Sequence, residues 1–199
     1  MTVILVVIVV ALAVGVVRGG TMANLAQLDL ASWPLVFVAL LVQAVGAFAA
    51  TIGMPAASTW YVVGMVGSAA LVTVFVARNR ALPGMVLVAL GFVLNALVVA
   101  ANGAMPVSQE AADRIGLSTV GLYRNVDAKH ELADSSTRLR PLADVIPVPL
   151  PGPLRWGSNV VSAGDVVLAA GIGVLVVNGM LAVRTRTAPR HVRAPREHA

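Results

Sequence analysis

The chain has 199 residues, of which 58% are hydrophobic and 12% are charged, with a mean hydropathy of +0.88. Soluble domains average roughly 45–50% apolar and about 25% charged residues, so water is not the solvent for most of this chain. The net charge of +5 does not indicate a nucleic-acid partner, because five arginines crowd the last sixteen residues instead of forming one basic face. The absence of cysteine excludes disulfides, thiolate metal sites and cysteine nucleophiles.

Five long apolar segments predict an all-α, polytopic membrane bundle of five transmembrane helices, forming a single membrane domain over residues 1–199. The first segment is near the short end of the roughly 17–25 residues that cross about 30 Å of hydrocarbon, and Arg18 can complete it by snorkelling. A cleaved signal peptide is the alternative for this segment, although the positively charged n-region is missing. The spans are expected at about residues 2–17, 33–52, 60–77, 83–101 and 163–183.

The connections between the spans carry turn and stop signals. Residues 18–32 mix leucine with polar groups, which favours a position at the cytoplasmic interface. The second and third spans are separated by a short uncharged turn and should form an antiparallel hairpin. Pro83 suits the first position of the fourth helix because its missing N–H has no helix partner there, and Asn102-Gly103 is a helix stop signal.

Small and polar residues form one stripe on the second span and another on the fourth, at spacings of three and four. Helices in lipid associate through such residues, so both stripes are expected to face into the bundle. Gln43 and Asn95 are the deepest polar members, and we interpret them as interhelical hydrogen-bonding groups, with a substrate path as the alternative. The stripes are Ala39, Gln43, Gly46, Ala50 and Gly53 on the second span, and Gly84, Val88, Gly91, Asn95, Val98 and Asn102 on the fourth.

The long loop over residues 102–162 is expected to be partly ordered, since loops of this length are usually functional or disordered. Ser108 can cap a short helix over residues 109–115, with Gly116 as its stop. The proline-rich run 141–153 should be extended, in polyproline-like geometry. Its alternating apolar side chains, Ile146, Val148 and Leu150, predict that the run lies over the bundle as a cap.

Two places in the second half of the chain carry candidate chemistry. Asp127, Lys129 and His130 form a tight cluster with an acid and a titratable base, which is compatible with a solvated surface, with ligand binding or with acid–base chemistry. Ser162 and Asp165 have the spacing of a capping box at the start of the fifth span. No catalytic residue, metal site or cofactor is predicted, because no recognisable metal-ligand spacing or nucleophile motif is present.

The arginines predict the orientation of the chain in a bacterial cytoplasmic membrane. Connections after the first, third and fifth spans hold Arg18, then Arg78 and Arg80, then the five tail arginines. The positive-inside rule therefore places the N-terminus outside and the C-terminus in the cytoplasm, so that the loop 102–162 is extracytoplasmic. The tail over residues 184–199 is expected to be disordered and to bind anionic lipid.

Several stretches, taken in order, resemble an uncharacterised bacterial membrane family known as domain of unknown function 5317. The resemblance spans nearly the whole chain, and it departs from the family in the turn after Asn102, where members often have two glycines and an extra residue. It implies a multi-span membrane protein and brings no activity, so no functional residue is carried over from it. The stretches are Asn95-Ala96, Asn102-Gly103, Met105-Pro106, Asp127 with Lys129-His130, Asp144 with Pro147 and Pro149, and Ser162 with Gly164-Asp165.

The leading hypothesis is a non-enzymatic binding or accessory protein whose outer cap holds a lipid, a small ligand or a partner protein. A small transporter or channel is the alternative, and a lipid-modifying enzyme with His130 as base is a third hypothesis. Glycine and alanine stripes are also compatible with a homo-oligomer. The candidate ligand-binding residues are Asn95, Asn102, Met105, Asp127, Lys129, His130, Asp144 and Asp165.

Overall fold

The computed structural model of the protein describes residues 2–52, 54–118 and 129–182, and these are mostly helical. The expectations for Asp127 and for the tail over residues 184–199 lie outside the described residues. Five helices are long, and a short helix α2, Met22–Ala26, follows the first of them. The long helices are α1 Thr2–Val17, α3 Pro34–Thr51, α4 Ala57–Arg78, α5 Met85–Asn102 and α7 Ala163–Leu181.

Three of the helices are long and apolar enough to cross a membrane: Ser58–Arg78 within α4, Met85–Asn102 and Ala163–Leu181. Helices α1 and α3 are apolar but shorter over their described residues. The 16 residues of α1 give about 24 Å at about 1.5 Å per residue, against about 30 Å of hydrocarbon. The described part of the chain therefore contains three helices compatible with a membrane protein by length and composition.

The prediction that Pro83 opens the fourth helix is wrong. The helix begins at Met85, and Gly84 precedes it with φ +90°, a left-handed backbone conformation that suits glycine. A Cβ at Gly84 would overlap the backbone of Gly171 on α7. The close approach to α7 thus places the turn one residue after the proline.

The long helices pack as a row in the order α1, α7, α5, α4, α3. In the row, α5 and α7 approach at two glycine pairs seven residues apart on each helix: Gly84 with Gly171, and Gly91 with Gly164. Added Cβ atoms at these positions would meet backbone atoms of the other helix at under 3 Å. The expected inward stripe on the fourth span is confirmed along these contacts, and Val98 in the same stripe is fully buried.

The hairpin of α3 and α4 is confirmed, and it closes around a third glycine pair. Gly46 lies against Gly64, where an added Cβ would come within 3.0 Å of the partner's Cα. On the same face of α3, Ala39 is buried, and the Gln43 amide donates to the Met65 sulfur at 3.7 Å. These contacts confirm the described part of the predicted stripe on the second span.

The outward faces of the row are apolar. On α1 and α3, which form its two edges, large hydrophobic side chains are more than half exposed, among them Leu5, Val9, Phe37 and Phe48. Contiguous apolar surface of this kind marks contact with lipid or another apolar partner. The bundle is therefore apolar outside as well as inside, as lipid-embedded helices require.

The five helices alternate between two ends of the row. One end holds residues 18–33, 79–84 and 180–182, and we call it the α2 end; Thr21 N–H donates there to the Met180 carbonyl at 3.0 Å. The other, the cap end, is covered by residues 103–118 and 129–161, which we call the cap. Since Thr2 lies near Gly157 in the cap, α1 and α7 run in the same direction and α5 runs opposite to them.

The cap contains short strands and helices rather than one extended run. Strand β1, Met105–Val107, pairs in parallel with β2, His130–Leu132, and β3, Ile146–Val148, pairs antiparallel with β4, Asn159–Val161. Helix α6, Gln109–Arg114, is capped by Ser108 as predicted. These strands add a small β component to the all-α fold that the sequence predicts.

The expectation of a continuous polyproline-like run over residues 141–153 is wrong in part. Two 3-10 helices, Arg140–Leu142 and Gly152–Gly157, flank the strand β3. The apolar residues that pack on the bundle are Leu142, Ala143 and Val145, which join Tyr61, Met65, Val98, Val99 and Met105. Ile146 instead is 37% exposed, because pairing with β4 turns this strand away from the helices.

Candidate functional site

A closed ring of hydrogen bonds joins α5 to the start of α7. Ser162 Oγ donates to Asn95 Oδ1 at 2.7 Å, Asn95 Nδ2 donates to Asp165 Oδ1 at 2.8 Å, and Asp165 N–H donates back to Ser162 Oγ at 2.9 Å. Ser162 is fully buried. The glycine pair Gly91 and Gly164 makes the ring possible, since a Cβ at Gly164 would overlap the Asn95 amide.

The capping box predicted from Ser162 and Asp165 is confirmed, and it is asymmetric. The forward bond, from Asp165 N–H to Ser162 Oγ, is 2.9 Å long, whereas the return bond from Ser162 N–H to Asp165 Oδ2 is 3.5 Å. The second distance exceeds the usual 2.7–3.2 Å of N–H···O bonds. Asp165 therefore makes its strongest side-chain bond to Asn95, and the aspartate links two helices as well as capping one.

Asp144 lies in the cap above this ring and is 6% exposed. Its backbone pairs with one edge of β1, on either side of Val107: Asp144 N–H donates to the Pro106 carbonyl at 2.9 Å, and Ser108 N–H donates to the Asp144 carbonyl at 2.8 Å. Pro106 is itself fully buried. The main chain therefore fixes the position of this carboxyl group, whatever its side chain binds.

The Asp144 side chain carries an unsatisfied oxygen. Oδ1 is buried and has no hydrogen-bond partner among the residues that the structure describes. Burial, followed by the nearby Asp165 charge, raises the pKa of Asp144 to about 7. A buried polar group without a partner is costly, so this oxygen requires a proton, a cation or a hydrogen-bond donor.

The two-stranded sheet brings the predicted cap residues together. In the parallel register Met105 lies beside His130, and Met105 N–H donates to the Lys129 carbonyl at 2.9 Å. Met105 is buried, whereas Lys129 and His130 are half-buried. Because Asp144 bonds to the other edge of β1, the strand separates Asp144 from β2.

Two further acids of the cap have shifted pKa values: Glu131 in β2 and Asp134 just after it. Partial burial, followed by the Asp134 charge, raises the pKa of Glu131. Hydrogen bonds from Ser136 hold the pKa of the exposed Asp134 below its usual value. The cap therefore carries carboxyl groups in three environments: buried, half-buried and exposed.

Asn102 clamps the cap to the end of α5. Arg138 N–H donates to Asn102 Oδ1 at 2.8 Å, and Asn102 Nδ2 donates to the Arg138 carbonyl at 3.0 Å and to the Val98 carbonyl at 2.8 Å. Gly103 ends the helix with φ +92°, as the stop signal predicts. The geometry gives Asn102 a positioning contact with the backbone of the cap.

The structure sorts the candidate ligand-binding residues into three groups. The first group comprises Asn95 and Asp165 in the bundle, with Asp144 near them in the cap. The second lies along the small sheet and comprises Met105, Lys129 and His130. Asn102 forms the third, at the end of α5. Ser162 is not among the ligand-binding residues that the sequence predicts, although its capping motif is predicted, because a cap alone does not indicate a bond to another helix. Within the described ranges, no group of three or more His, Asp or Glu residues is arranged to hold a metal ion.

Comparison with known proteins gives a family and a distant relative. A family model, described as a family of unknown function (DUF5317), matches residues 27–177. A protein of Thermotoga maritima, named only as an uncharacterized protein, is 34% identical over 116 residues. The match covers 57% of this chain and 61% of the relative, so the chain spans less than two thirds of the relative's length. No solved structure matches the chain.

Proposed function

The chain belongs to the family of unknown function DUF5317, and we propose that it is a non-enzymatic integral membrane protein that binds a small monovalent cation beneath an outer-face cap. The cation is an alkali ion or a primary ammonium group. One observation carries the proposal: the buried Asp144 carboxyl, with Oδ1 unsatisfied, lies near a second carboxyl, Asp165.

Placing the Asp144 carboxyl near that of Asp165 lowers the stability of the folded protein when no ligand is bound. Two nearby carboxylates repel each other, and burial penalises the charged form of each. An apolar residue at position 144 would avoid both penalties, and the cap would keep its backbone bonds to Pro106 and Ser108. A bound cation removes the repulsion and satisfies the free oxygen, so binding turns a destabilising feature into a stabilising one.

The chemistry of the surrounding groups favours a cation over an anion or an apolar ligand. Asp144 and Asp165 supply carboxylate oxygens, and Ser162 and Asn95 supply neutral oxygens in the adjacent ring. Hard cations take oxygen ligands of this kind, and an ammonium group donates hydrogen bonds to the same atoms. The site therefore offers acceptors on the bundle side and on the cap side.

The test measures the thermal unfolding midpoint of the purified protein in detergent at pH 8, where Asp144 is mostly ionised. Samples contain sodium, potassium, ammonium or ethanolammonium chloride, and choline chloride at equal ionic strength serves as the bulky reference. We expect at least one small cation to raise the midpoint relative to choline. The stabilisation should follow RT ln(1 + [L]/Kd), or about 2.7 kcal/mol at a hundredfold excess over Kd.

The matched variants are Asp144→Asn and Asp113→Asn. Asp113 is an exposed acid on α6 in the same cap, so its substitution changes the net charge equally without touching the site. The cation effect should disappear in Asp144→Asn and persist in Asp113→Asn. Equal midpoints in all five chloride salts for the wild type, or a cation effect that survives in Asp144→Asn, would refute the proposal.

The proposed topology has five spans, with the cap outside the bacterial cytoplasmic membrane. The short connections at the α2 end carry Arg18, Arg78 and Arg80, whereas the short connection over residues 52–56 at the cap end has no basic residue. Exposed apolar faces on α1 and α3 support their placement in lipid despite their length. A lipid contact for the arginine-rich tail belongs to the same proposal.

The topology has a direct test because the chain lacks cysteine. Single cysteines replace Ser135, exposed in the cap, or Ala81, exposed at the α2 end. A membrane-impermeant maleimide applied to intact cells should label Ser135→Cys, and should label Ala81→Cys only after lysis. The reverse pattern would invert the topology, and labelling of both in intact cells would place both ends outside.

Transport is the second candidate function, and the placement of Asp165 favours it. This acid lies in the first turn of an apolar helix and bonds to Asn95 within another, and ionisable groups in such positions often mark ion pathways. Proteoliposomes with a pH or sodium gradient would show flux that Asp165→Asn abolishes. Binding without flux would leave the first proposal in place and remove this one.

A further inference from the structure

A cavity of about 220 Å³ lies at the α2 end, on the opposite side of the bundle from Asp144. It is smaller than the roughly 300–1,000 Å³ of pockets for drug-sized ligands, which suits a headgroup better than a whole molecule. Its lining combines one acid, two amides and three apolar side chains. These residues are Asn24, Gln27, Leu28, Asp29, Leu82 and Ala182.

The walls of the cavity are fixed by hydrogen bonds on two sides. On one side Thr21 caps α2, and Asn24 Nδ2 donates to the Met180 carbonyl at 2.8 Å. On the other side Asn79 bonds to both backbone groups of Ala31, two residues after Asp29, at 2.8 Å. The segment that carries Gln27, Leu28 and Asp29 is therefore anchored before and after the cavity.

The polar groups in the lining differ in how they are satisfied. The Asn24 amide is used in the bond to Met180. Gln27 and Asp29 are exposed, and among the described residues no side-chain hydrogen bond or ion pair is formed by either of them. The cavity therefore presents a carboxylate and an amide to whatever enters it, above the apolar side chains of Leu28 and Leu82.

The surroundings place the cavity at a lipid interface. Trp33 immediately precedes α3 at this end of the bundle and is 57% exposed. Its ring packs edge-on against that of Phe37, with 5.5 Å between the ring centroids. Exposed tryptophan at the end of an apolar helix is typical of the headgroup level of a bilayer. Arg80 is exposed two residues before Leu82, in the turn that leads to this lining residue.

We propose that this cavity binds the headgroup of a phospholipid with a primary ammonium group, of the phosphatidylethanolamine class. The ammonium donates to the Asp29 carboxylate and the Gln27 carbonyl oxygen, the phosphate lies toward Arg80, and the glycerol region contacts Leu28 and Leu82. An acid in the lining and an exposed base two residues before the lining residue Leu82 suit the two charges of a zwitterionic headgroup. An anionic headgroup would place its negative charge against Asp29.

The test is native mass spectrometry of the full chain released from nanodiscs. The discs contain equal amounts of phosphatidylethanolamine, phosphatidylcholine and phosphatidylglycerol with the same acyl chains. We expect selective retention of phosphatidylethanolamine, because phosphatidylcholine has the same charges but no ammonium N–H groups. Asp29→Asn should reduce the selectivity by up to about fivefold, the upper end of the range for an exposed charge pair.

Two variants make the result decisive. Asp113→Asn, in the cap, removes the same charge far from the cavity and should retain the wild-type selectivity. Leu82→Trp should fill the cavity and abolish retention without changing its charge; the thermal unfolding midpoint in detergent establishes that each variant is folded. If Asp29→Asn is unfolded, the Leu82→Trp result alone decides.

Three outcomes would overturn the inference. Equal retention of the three lipids by the wild type would remove the site. Preferential retention of phosphatidylglycerol would assign lipid binding to the arginines instead of Asp29. Unchanged phosphatidylethanolamine retention in folded Asp29→Asn and Leu82→Trp would place the lipid elsewhere. None of these outcomes bears on Asp144, since the two sites lie at opposite ends of the bundle.

Discussion

The two ends of the bundle hold a passing segment with the same device. At the α2 end, Asn79 exchanges two hydrogen bonds with the backbone of Ala31, both 2.8 Å long. At the cap end, Asn102 exchanges two with the backbone of Arg138, at 2.8 and 3.0 Å. Each amide also donates to the carbonyl four residues earlier in its own helix. A side-chain amide at a helix terminus thus pairs with the N–H and the C=O of one residue, as the backbone of a neighbouring β-strand would.

The ends differ in what they bury. The α2 end keeps its acid, Asp29, exposed at a cavity, whereas the cap end buries Asp144 beside Asp165. The two ends therefore have equivalent hydrogen bonds to the backbone, but one exposes its carboxyl group and the other buries it. The backbone clamp at the cap end does not by itself require a buried carboxyl group, so the cost of burying Asp144 points to a bound proton or cation.

The largest expected effect is the pH dependence that Asp144 imposes. The folded-state pKa is about 7, against about 3.9 for an unfolded aspartate. Between these values the unfolded chain loses its proton and the folded chain keeps it, so the free energy of unfolding falls as pH rises. The loss should approach about 4 kcal/mol above pH 7 when no binding cation is present.

Thermal unfolding midpoints from pH 4 to 8 in choline chloride measure this loss. Asp144→Asn should flatten most of the profile and should be more stable than the wild type at pH 8. Glu131→Gln is the control, because the raised pKa of Glu131 acts in the same direction by a smaller amount. A flat wild-type profile would show that the cap end is electrostatically like the α2 end.

The next effect compares the clamps directly. Asn79 is 5% exposed, and Asn79→Ala would leave both backbone groups of Ala31 without partners, at a cost of about 2–3 kcal/mol. Asn102→Ala should cost about 1 kcal/mol, since the bonds to Arg138 are exposed to water. Unfolding midpoints under one set of conditions compare the two. Equal losses would mean that the clamps are equally buried in solution.

A third comparison uses the two glycine contacts between α5 and α7. Gly84→Ala, toward the α2 end, combines overlap with Gly171 and an unfavourable φ of +90°, while Gly91→Ala has only the overlap with Gly164 and Leu168. Each should destabilise by about 1–3 kcal/mol, with Gly84→Ala the larger. Gly67→Ala is the matched control, because its Cβ would meet one methyl group of Val42, at 3.2 Å, and no backbone atom.

Local motifs could be predicted from the sequence, and distant convergence could not. The helix caps depend on contacts between residues only a few positions apart, so sequence spacing was sufficient to predict them. They are formed by Ser108, by Ser162 with Asp165, and by Gly103. The clamp of Asn79 on Ala31 joins residues 48 apart, and no periodicity encodes it. Asp144 was identified as a candidate, but its approach to Asp165 depends on how β1 positions the cap over α7.

The smallest expected effect distinguishes the burial of Asp144 from the total charge of the cap. Glu110 and Arg114 form an exposed salt bridge of 2.6 Å on α6, with side chains 77% and 63% exposed. Glu110→Gln should cost no more than about 0.5 kcal/mol, and the loss should vanish near 1 M salt, where the Debye length is about 3 Å. Because Glu110 is also a cap carboxylate, its substitution should leave the pH profile and the cation effect intact. If it removed either of them, total cap charge rather than the buried environment of Asp144 would govern the cap end.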